Sequence, residues 1–586
     1  MAVSAPTSYP TSIYHDSPTL LPEHLASFVT AASLAARVSL RCSSVFVDAI
    51  FEAAKYGTVL SLGISRQALT NALATAKRNG FLRILDKYTN LGIYIVHNTF
   101  TLAELFALSG LQLTSQTVRS GFKTAEESVR IIDGIFGSNE TSRAIASIIT
   151  LVHKELMQDP DFVLANSGKM TMLAGLTKAM TAFAVLQFVT HKRMMKQTKF
   201  TVDKYWQSNP LIIAIANIAR FMRYASAAYG ETFMRILGIG NIPSVIPTTH
   251  HSNHHAFVHH TGLALEDILL SSYTDRSFLT MHHPSIHELV HYVTVDHAAQ
   301  AIVLTCRGTL GLSDVLTDLT CGYSDITLPD VDSSEFMAHG GMLDAAQMLA
   351  KEKGKVFRAI RDGLERYPDY GLVLTGHSLG GGVASLVSLL WSEKDKQGNF
   401  VLSPTSGLAS GRPIHCYVYG PPCVMSLELS QYCRGLVTSV VHRYDIVSCL
   451  SLGLLKDFKN VAVSLHTEAE VTDQILTKVI HRYRSTSSTV DDSEDDWFWA
   501  LIKTMRADMR AEKLYPPSTV YTIELIPSRH KQSKAVLSRC DDIQARFSEI
   551  VFSRTMFMDH SPTNYEHVIK QLCKGFFGQD TAYEQL

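Results

Sequence analysis

The stretch "LVLTGHSLGGGVASLVSLL", residues 372–390, constrains this chain more than any other. An apolar, strand-like run enters Gly376-His377-Ser378-Leu379-Gly380, and an apolar, helix-like run leaves it. G-x-S-x-G between a strand and a helix is the sharp turn that holds a serine in a strained elbow at the edge of a sheet. Gly376 and Gly380 suit it because side chains there would collide where strand and helix pack around the turn. The competing reading is a Gly-rich helix entry with a buried serine.

A serine hydroxyl attacks only when a base takes its proton and donors await the developing oxyanion. The elbow itself supplies one donor, the backbone N–H of Leu379. A second is expected after an earlier strand, and "AIVLTCRGTLGLSD" (301–314) ends its strand at Arg307-Gly308-Thr309. Thr309 is the candidate, through its N–H and its hydroxyl, against an ordinary strand-end turn. Acid and then histidine should follow in chain order. Asp445 stands where the strand "GLVTSVVHRY" (435–444) gives out, at the carboxyl edge where sites of open α/β sheets gather, with Asp457 in reserve. His560 precedes Ser561 and Pro562, a helix N-cap and first position, which puts it on a loop free to turn toward Ser378. His567, inside that helix, is expected to be structural or at the surface.

The wider texture agrees. After residue 285, β-branched runs such as "YGLVLTG", "PIHCYVYG" and "STVYTIELI" alternate with amphipathic helices, the pattern of an α/β domain. Residues 20–240 are rich in Ala, Leu, Ile and Met at helical spacing. The expected organisation is a disordered N-terminus (1–20), a mainly helical region (21–245), a His-rich loop or connector (246–284), an α/β domain (285–577) and a tail (578–586). "THHSNHHAFVHH", with six histidines between His250 and His260, has no metal-ligand spacing and reads as a solvated polar loop. A flexible insert is expected near 484–512: a Ser/Thr-rich acidic half, then Trp497, Phe498, Trp499, Leu501 and Ile502 beside Lys503, Arg506 and Arg510. That second half is either an interfacial helix or lid, or a plain packed helix.

Composition removes some classes. Lys plus Arg (53) nearly cancels Asp plus Glu (54), so no field collects nucleic acid. The N-terminus lacks the charged start and apolar run of a secretory signal, and nine cysteines show no paired spacing. Both point to an intracellular, cytoplasmic chain rather than a secreted one, and its expected membrane association is peripheral. The most apolar window, from Leu173, carries Lys178 and ends in a basic run, so it reads as a buried or interfacial helix rather than a span.

One motif competes with the serine. "HELVHYVTVDH" (287–297) holds H-E-x-x-H, with His297 at the place of a third zinc ligand. A zinc protease needs His287 and His291 on one helix face, with Glu288 as base. Yet "LVHYVTV" is β-branched and aromatic, and it leads through a turn at "DHAAQ" into "AIVLTC". In a strand the two histidines would lie about 13 Å apart, and Thr294 occupies the place of the required turn glycine. They read as surface or edge residues, and no metal or cofactor is expected.

At this point the chain resembles the class 3 lipases, most closely the sn-1-specific diacylglycerol lipases and their intracellular fungal relatives. The resemblance is carried by "AIVLTCRGT", "DVLTDL", "HGGMLDAA", "LTGHSLGGGVASL", "YGPPCVMS", "VTSVVHRYDIVSCLSLG", "LYPPSTVYTIE" and "MDHSPTNY", in the family's order across 285–575. It implies an α/β-hydrolase fold, a central mostly parallel sheet flanked by helices. It also implies that Ser378 forms the acyl-enzyme, that His560 is general base and then acid, and that Asp445 orients the histidine. Thr309 and Leu379 become the oxyanion donors. The implied partner is a glycerolipid at a membrane or lipid-droplet surface. The four membrane-spanning helices of the animal members are not evident in this sequence. Its N-terminal region is more similar to the extension of intracellular fungal members, and the Trp-bearing insert stands where the animal enzymes hold a regulatory loop. Phospholipase A1 or monoacylglycerol lipase activity, and a non-catalytic lipase-like scaffold, stay open beside diacylglycerol hydrolysis.

Overall fold

The computed structural model describes residues 209–240, 250–273, 289–309, 322–328, 336–467, 492–527, 533–553 and 555–578, with isolated positions elsewhere. The chain divides into two compact units, residues 1–190 with 456–510, and residues 191–455 with 511–586.

The second unit holds one sheet of nine strands: β1 (Phe200–Thr201), β2 (Ile268–Ser271), β3 (His291–Asp296), β4 (Ala301–Cys306), β5 (Gly371–His377), β6 (Ile414–Tyr419), β7 (Val437–His442), β8 (Val520–Pro527) and β9 (Ser533–Cys540). Their spatial order is β1-β9-β8-β7-β6-β5-β4-β3-β2. Pairing is parallel from β4 through β8 and antiparallel at both edges. Parallel strands are covered on both faces and so read as unbroken apolar runs; in β4 every residue of Ala301–Cys306 is buried.

Six helices of the second unit are α1 (Asn209–Ala227), α2 (Ser252–Thr261), α3 (Gly340–Ala350), α4 (Lys355–Arg366), α5 (Leu379–Trp391) and α7 (Pro562–Phe577), and the first unit holds α6 (Asp492–Ala507). The two-residue period of a strand sends alternate side chains of β6 to opposite faces. Tyr417 and Tyr419 join one core cluster with Phe221 and Tyr224 of α1 and Val568 and Ile569 of α7, and Phe221 stacks on Tyr417 at 5.0 Å. On the other face Val418 meets the start of α5, where a Cβ at Gly381 would stand 3.2 Å from its own Cβ. A mostly parallel sheet covered on both faces, with a serine elbow between β5 and α5, is the α/β-hydrolase fold.

Two expectations change, and one open choice is settled. The His-rich stretch read as a loop is helical over Ser252–Thr261, capped at its start by the His251 side chain accepting from the Asn253 N–H and ended by Gly262 at φ 80°. Its histidines are not all solvated: His254 is buried against Tyr292, on which Phe257 stacks at 4.2 Å. The packed hydrolase body also starts before residue 285, because α1, β2 and α2 contribute to its sheet and core. In the insert, α6 buries Phe498, Ile502 and Met505 along one stripe, as a packed helix does, while Trp497 and Trp499 are half-buried beneath Lys478 and Lys503. Residues 484–491 of the acidic half, most of the N-terminal region and 579–586 lie outside the described residues, and of the window from Leu173 only Phe183, Leu186, Gln187, Thr190 and His191 are described. Among the described residues no helix is long and apolar enough to cross a membrane.

The H-E-x-x-H stretch is a strand where it is described. β3 pairs antiparallel with β4 from His291↔Cys306 to Asp296↔Ala301. His291 contacts the Leu289 carbonyl and Ser272, and exposed His297 meets Tyr370 and Asp267; His287 and Glu288 lie outside the described residues. Among the described residues no cluster of three metal-ligating side chains forms.

Candidate active site

Ser378 stands between β5 and α5 with φ 58° and ψ −133°, a backbone conformation that costs a side-chain-bearing residue energy and is held by its surroundings. Its own N–H donates to the Tyr419 carbonyl at 2.9 Å, and its carbonyl accepts from Gly381 and Gly382 at 2.9 and 3.1 Å. The two elbow glycines are needed as expected: a Cβ at Gly376 would lie 2.5 Å from the Gly380 carbonyl carbon, and one at Gly380 would run into the backbone of Cys306 and Arg307.

The three residues expected to act together meet here. His560 Nε2 lies 2.8 Å from Ser378 Oγ, and its Nδ1 lies 3.0 and 2.9 Å from the two oxygens of Asp445. A carboxylate only accepts, so Nδ1 carries the proton and Nε2 presents its lone pair to the serine hydroxyl. Asp445 follows β7 by three residues, and its Oδ1 also accepts from the Val447 N–H at 2.9 Å. Full burial would by itself raise its pKa, but His560 and the hydrogen bonds from His560 and Tyr565 outweigh burial and hold the carboxyl below its ordinary value. Asp457, the reserve acid, is buried within the helix Leu452–Thr467. His560 closes a short turn, Met558–His560, just before Ser561 and Pro562 open α7; His567 is exposed on that helix.

On the donor side, Leu379 begins α5, where the first N–H groups have no intrahelical acceptor. Gly308 packs against the elbow so closely that a Cβ would lie 2.6 Å from the His377 carbonyl oxygen and 3.0 Å from Ser378 Cβ. Thr309 is the next residue, and its buried hydroxyl has no hydrogen-bond partner among the described residues. A buried hydroxyl left unpaired is uncommon, and this one belongs to the residue after Gly308, which packs on the elbow.

Three contributors were not singled out in the sequence. Tyr565, buried in α7, donates its hydroxyl to Asp445 Oδ2 at 2.7 Å and accepts from the His442 N–H at 2.9 Å. Gly420, at φ 52°, lies under the acid–histidine pair. Tyr229, two residues past α1, sets its hydroxyl 2.7 Å from Nδ1 of His377. His377, expected only as an elbow residue, has its ring buried with Nε2 2.9 Å from the His560 carbonyl oxygen. Burial pushes its pKa down to about 3, so it is neutral. The local signals are the "MDHSPTNY" spacing, which puts Tyr565 five residues past His560, and "YGPPCVMS", which carries Gly420; Tyr229 lies in neither.

Residues 303–454 match the family Lipase (class 3). Diacylglycerol lipase-beta of Mus musculus is 24% identical over 373 residues, 59% of this chain and 50% of that protein. Diacylglycerol lipase-alpha of Rattus norvegicus is 31% identical over 298 residues, 48% of this chain and 27% of that protein. The chain thus spans about half the length of the first of these relatives and about a quarter of the second. Among solved structures, a Rhizomucor miehei lipase propeptide complex aligns with a TM-score of 0.34 at 16% identity, over 62% of this chain and 80% of that one.

Proposed function

Because residues 303–454 match the class 3 lipase family, we propose that this chain hydrolyses a fatty-acyl ester of a glycerolipid, removing the sn-1 acyl group of a diacylglycerol at a membrane or lipid-droplet surface inside the cell. One observation carries the chemistry: His560 bridges Ser378 and Asp445 through its two ring nitrogens. As Ser378 Oγ attacks the acyl carbonyl, His560 Nε2 takes its proton. The oxyanion is met by the Leu379 N–H and by Thr309, whose hydroxyl has a hydrogen bond to give. Collapse expels the glycerol-side alkoxide, which takes the proton from Nε2 and leaves an acyl-serine. Water, deprotonated by the same nitrogen, then releases the fatty acid and restores the serine. Asp445 stays ionised throughout and stabilises the imidazolium. The lipid class follows the diacylglycerol lipases to which the chain is similar.

A fluorophosphonate probe should label the wild type and not Ser378→Ala. Product analysis on diacylglycerol, triacylglycerol and phospholipid vesicles should show diacylglycerol as the preferred substrate. Absence of labelling in folded wild type would sink the hydrolase reading and favour a lipid-binding scaffold, whereas preferential phospholipid cleavage would make the enzyme a phospholipase A1.

A further inference from the structure

We propose that Tyr229 and His377 are positioning residues that tie the backbone of the catalytic histidine to the nucleophile elbow through two hydrogen bonds. The inference rests on the reading of Ser378, His560 and Asp445 as a triad. Its direction follows from donor and acceptor chemistry. The His560 carbonyl can only accept, so Nε2 of His377, 2.9 Å away, must carry the proton. A neutral imidazole has one N–H, so Nδ1 of His377 is a lone pair, and the hydroxyl of Tyr229, 2.7 Å away, must donate to it. The chain therefore runs Tyr229 O–H to Nδ1, then Nε2–H to the His560 carbonyl.

The consequence is mechanical. His377 is the residue before Ser378, so nucleophile and base are joined by a short, buried link that does not depend on the reactive Nε2–Oγ contact. The rings of His377 and His560 lie 4.8 Å apart, tilted by 34°. The same Tyr229 hydroxyl closes on the neighbouring strand end, since a Cβ at Gly308 would stand 2.7 Å from it. One phenol thus abuts the turn that leads to Thr309 and also holds the ring that holds His560. Tyr229 lies outside residues 303–454, on the segment that follows α1, so helical sequence upstream of the matched region completes the site. Without the hydroxyl, His377 can move its proton to Nδ1; Nε2 then turns a lone pair toward the His560 carbonyl, and the link becomes a repulsion.

The experiment compares wild type, Tyr229→Phe, His377→Ala and the double variant in hydrolysis of p-nitrophenyl butyrate, alongside melting temperatures and ¹⁵N spectra of histidine-labelled protein. The His377 signals are assigned by their loss in His377→Ala. Loss of one buried hydrogen bond that aligns the base predicts a fall in kcat of about tenfold for Tyr229→Phe with KM unchanged. The double variant should be no slower than His377→Ala alone, because both residues act through one chain. Wild-type His377 should show the Nε2-protonated tautomer, and Tyr229→Phe a mixture. An unchanged kcat, losses that multiply in the double variant, or an Nδ1-protonated ring in the wild type overturns the inference. A wild type inert toward both ester and fluorophosphonate would instead sink the triad reading, and the nitrogen signals would still decide whether His377 donates to His560.

Discussion

Gly420→Ala is the sharpest probe of the site because it adds one carbon at a known place. Gly420 follows β6 with φ 52°, its N–H held by the Val440 carbonyl at 2.9 Å. A Cβ there would lie 2.7 Å from Asp445 Oδ2 and 3.1 Å from both His560 Nδ1 and the Tyr565 hydroxyl. The first distance is about 0.7 Å short of the 3.4 Å at which ordinary contact begins, so the acid must retreat by about that much. The retreat falls on the carboxylate that, in the proposed mechanism, orients the base. Misplacements approaching 1 Å cost up to about a hundredfold in rate, so kcat should fall by about ten- to a hundredfold with KM little changed. Alanine in the left-handed region costs about 1–2 kcal/mol of stability as well. Gly398→Ala separates the two effects, because Gly398 has φ 86° with nothing within 4 Å of its would-be Cβ. It should lower the melting temperature and spare kcat. Equal kcat for Gly420→Ala and wild type, both folded, would refute the assignment of Asp445 and His560 as the working pair.

Two further outcomes follow from the groups around that pair. Tyr565→Phe strips a donor from Asp445 and an acceptor from the His442 N–H, which should cost about 1–3 kcal/mol in urea unfolding. The Asp445 pKa is lowered in the folded state, so its contribution is present above the ordinary carboxylate range and is lost as pH falls; in Tyr565→Phe that loss should begin at higher pH, and an unshifted acid transition would count against the phenol's role. Asp559 has the opposite sign: burial, outweighing Thr555, Arg443 and the Tyr444 N–H, raises its pKa to about 6. A raised carboxyl makes the fold lose stability as pH rises from the ordinary value of 3.8 toward 6. Asp559→Asn should flatten that part of the melting-temperature profile, and parallel profiles would refute it.

Strand β4 is legible in the sequence because a strand covered on both faces is apolar along its length, β5 to β8 are legible as β-branched runs set between helices, and the turn between β3 and β4 follows from the change of texture at "DHAAQ". The elbow is legible for a different reason: close approach of strand and helix allows only glycine at two positions four residues apart. Where the residue type itself misleads, legibility fails. Six histidines count as polar in composition, yet His254 packs on Tyr292 and Phe257 anchors the same helix, so a core helix reads as a loop. The β9 strand, "SKAVLSRC", is too mixed in character to stand out; its hairpin register with β8, from Tyr521↔Arg539 to Pro527↔Ser533, is what makes it a strand.

The site shows the same division between local and distant causes. Ser378 and its glycines are fixed by neighbours in sequence, whereas Tyr229 reaches His377 across 148 positions and Tyr565 reaches Asp445 across 120. The two histidines make the point most clearly. They lie 4.8 Å apart, and nothing in their residue type separates them. His560 faces a carboxylate, with Nδ1 2.9 Å from Asp445 Oδ2. His377 faces a phenol and a carbonyl, one neutral donor and one neutral acceptor, and burial keeps it uncharged. That neutrality suits the proposed chemistry. A second cation at this distance would raise the free energy of forming the His560 imidazolium by about 3 kcal/mol at an effective dielectric constant of about 20, roughly a hundredfold in rate. The fold therefore needs both a charged partner for one ring and strictly neutral partners for the other, and only the three-dimensional neighbours decide which ring receives which.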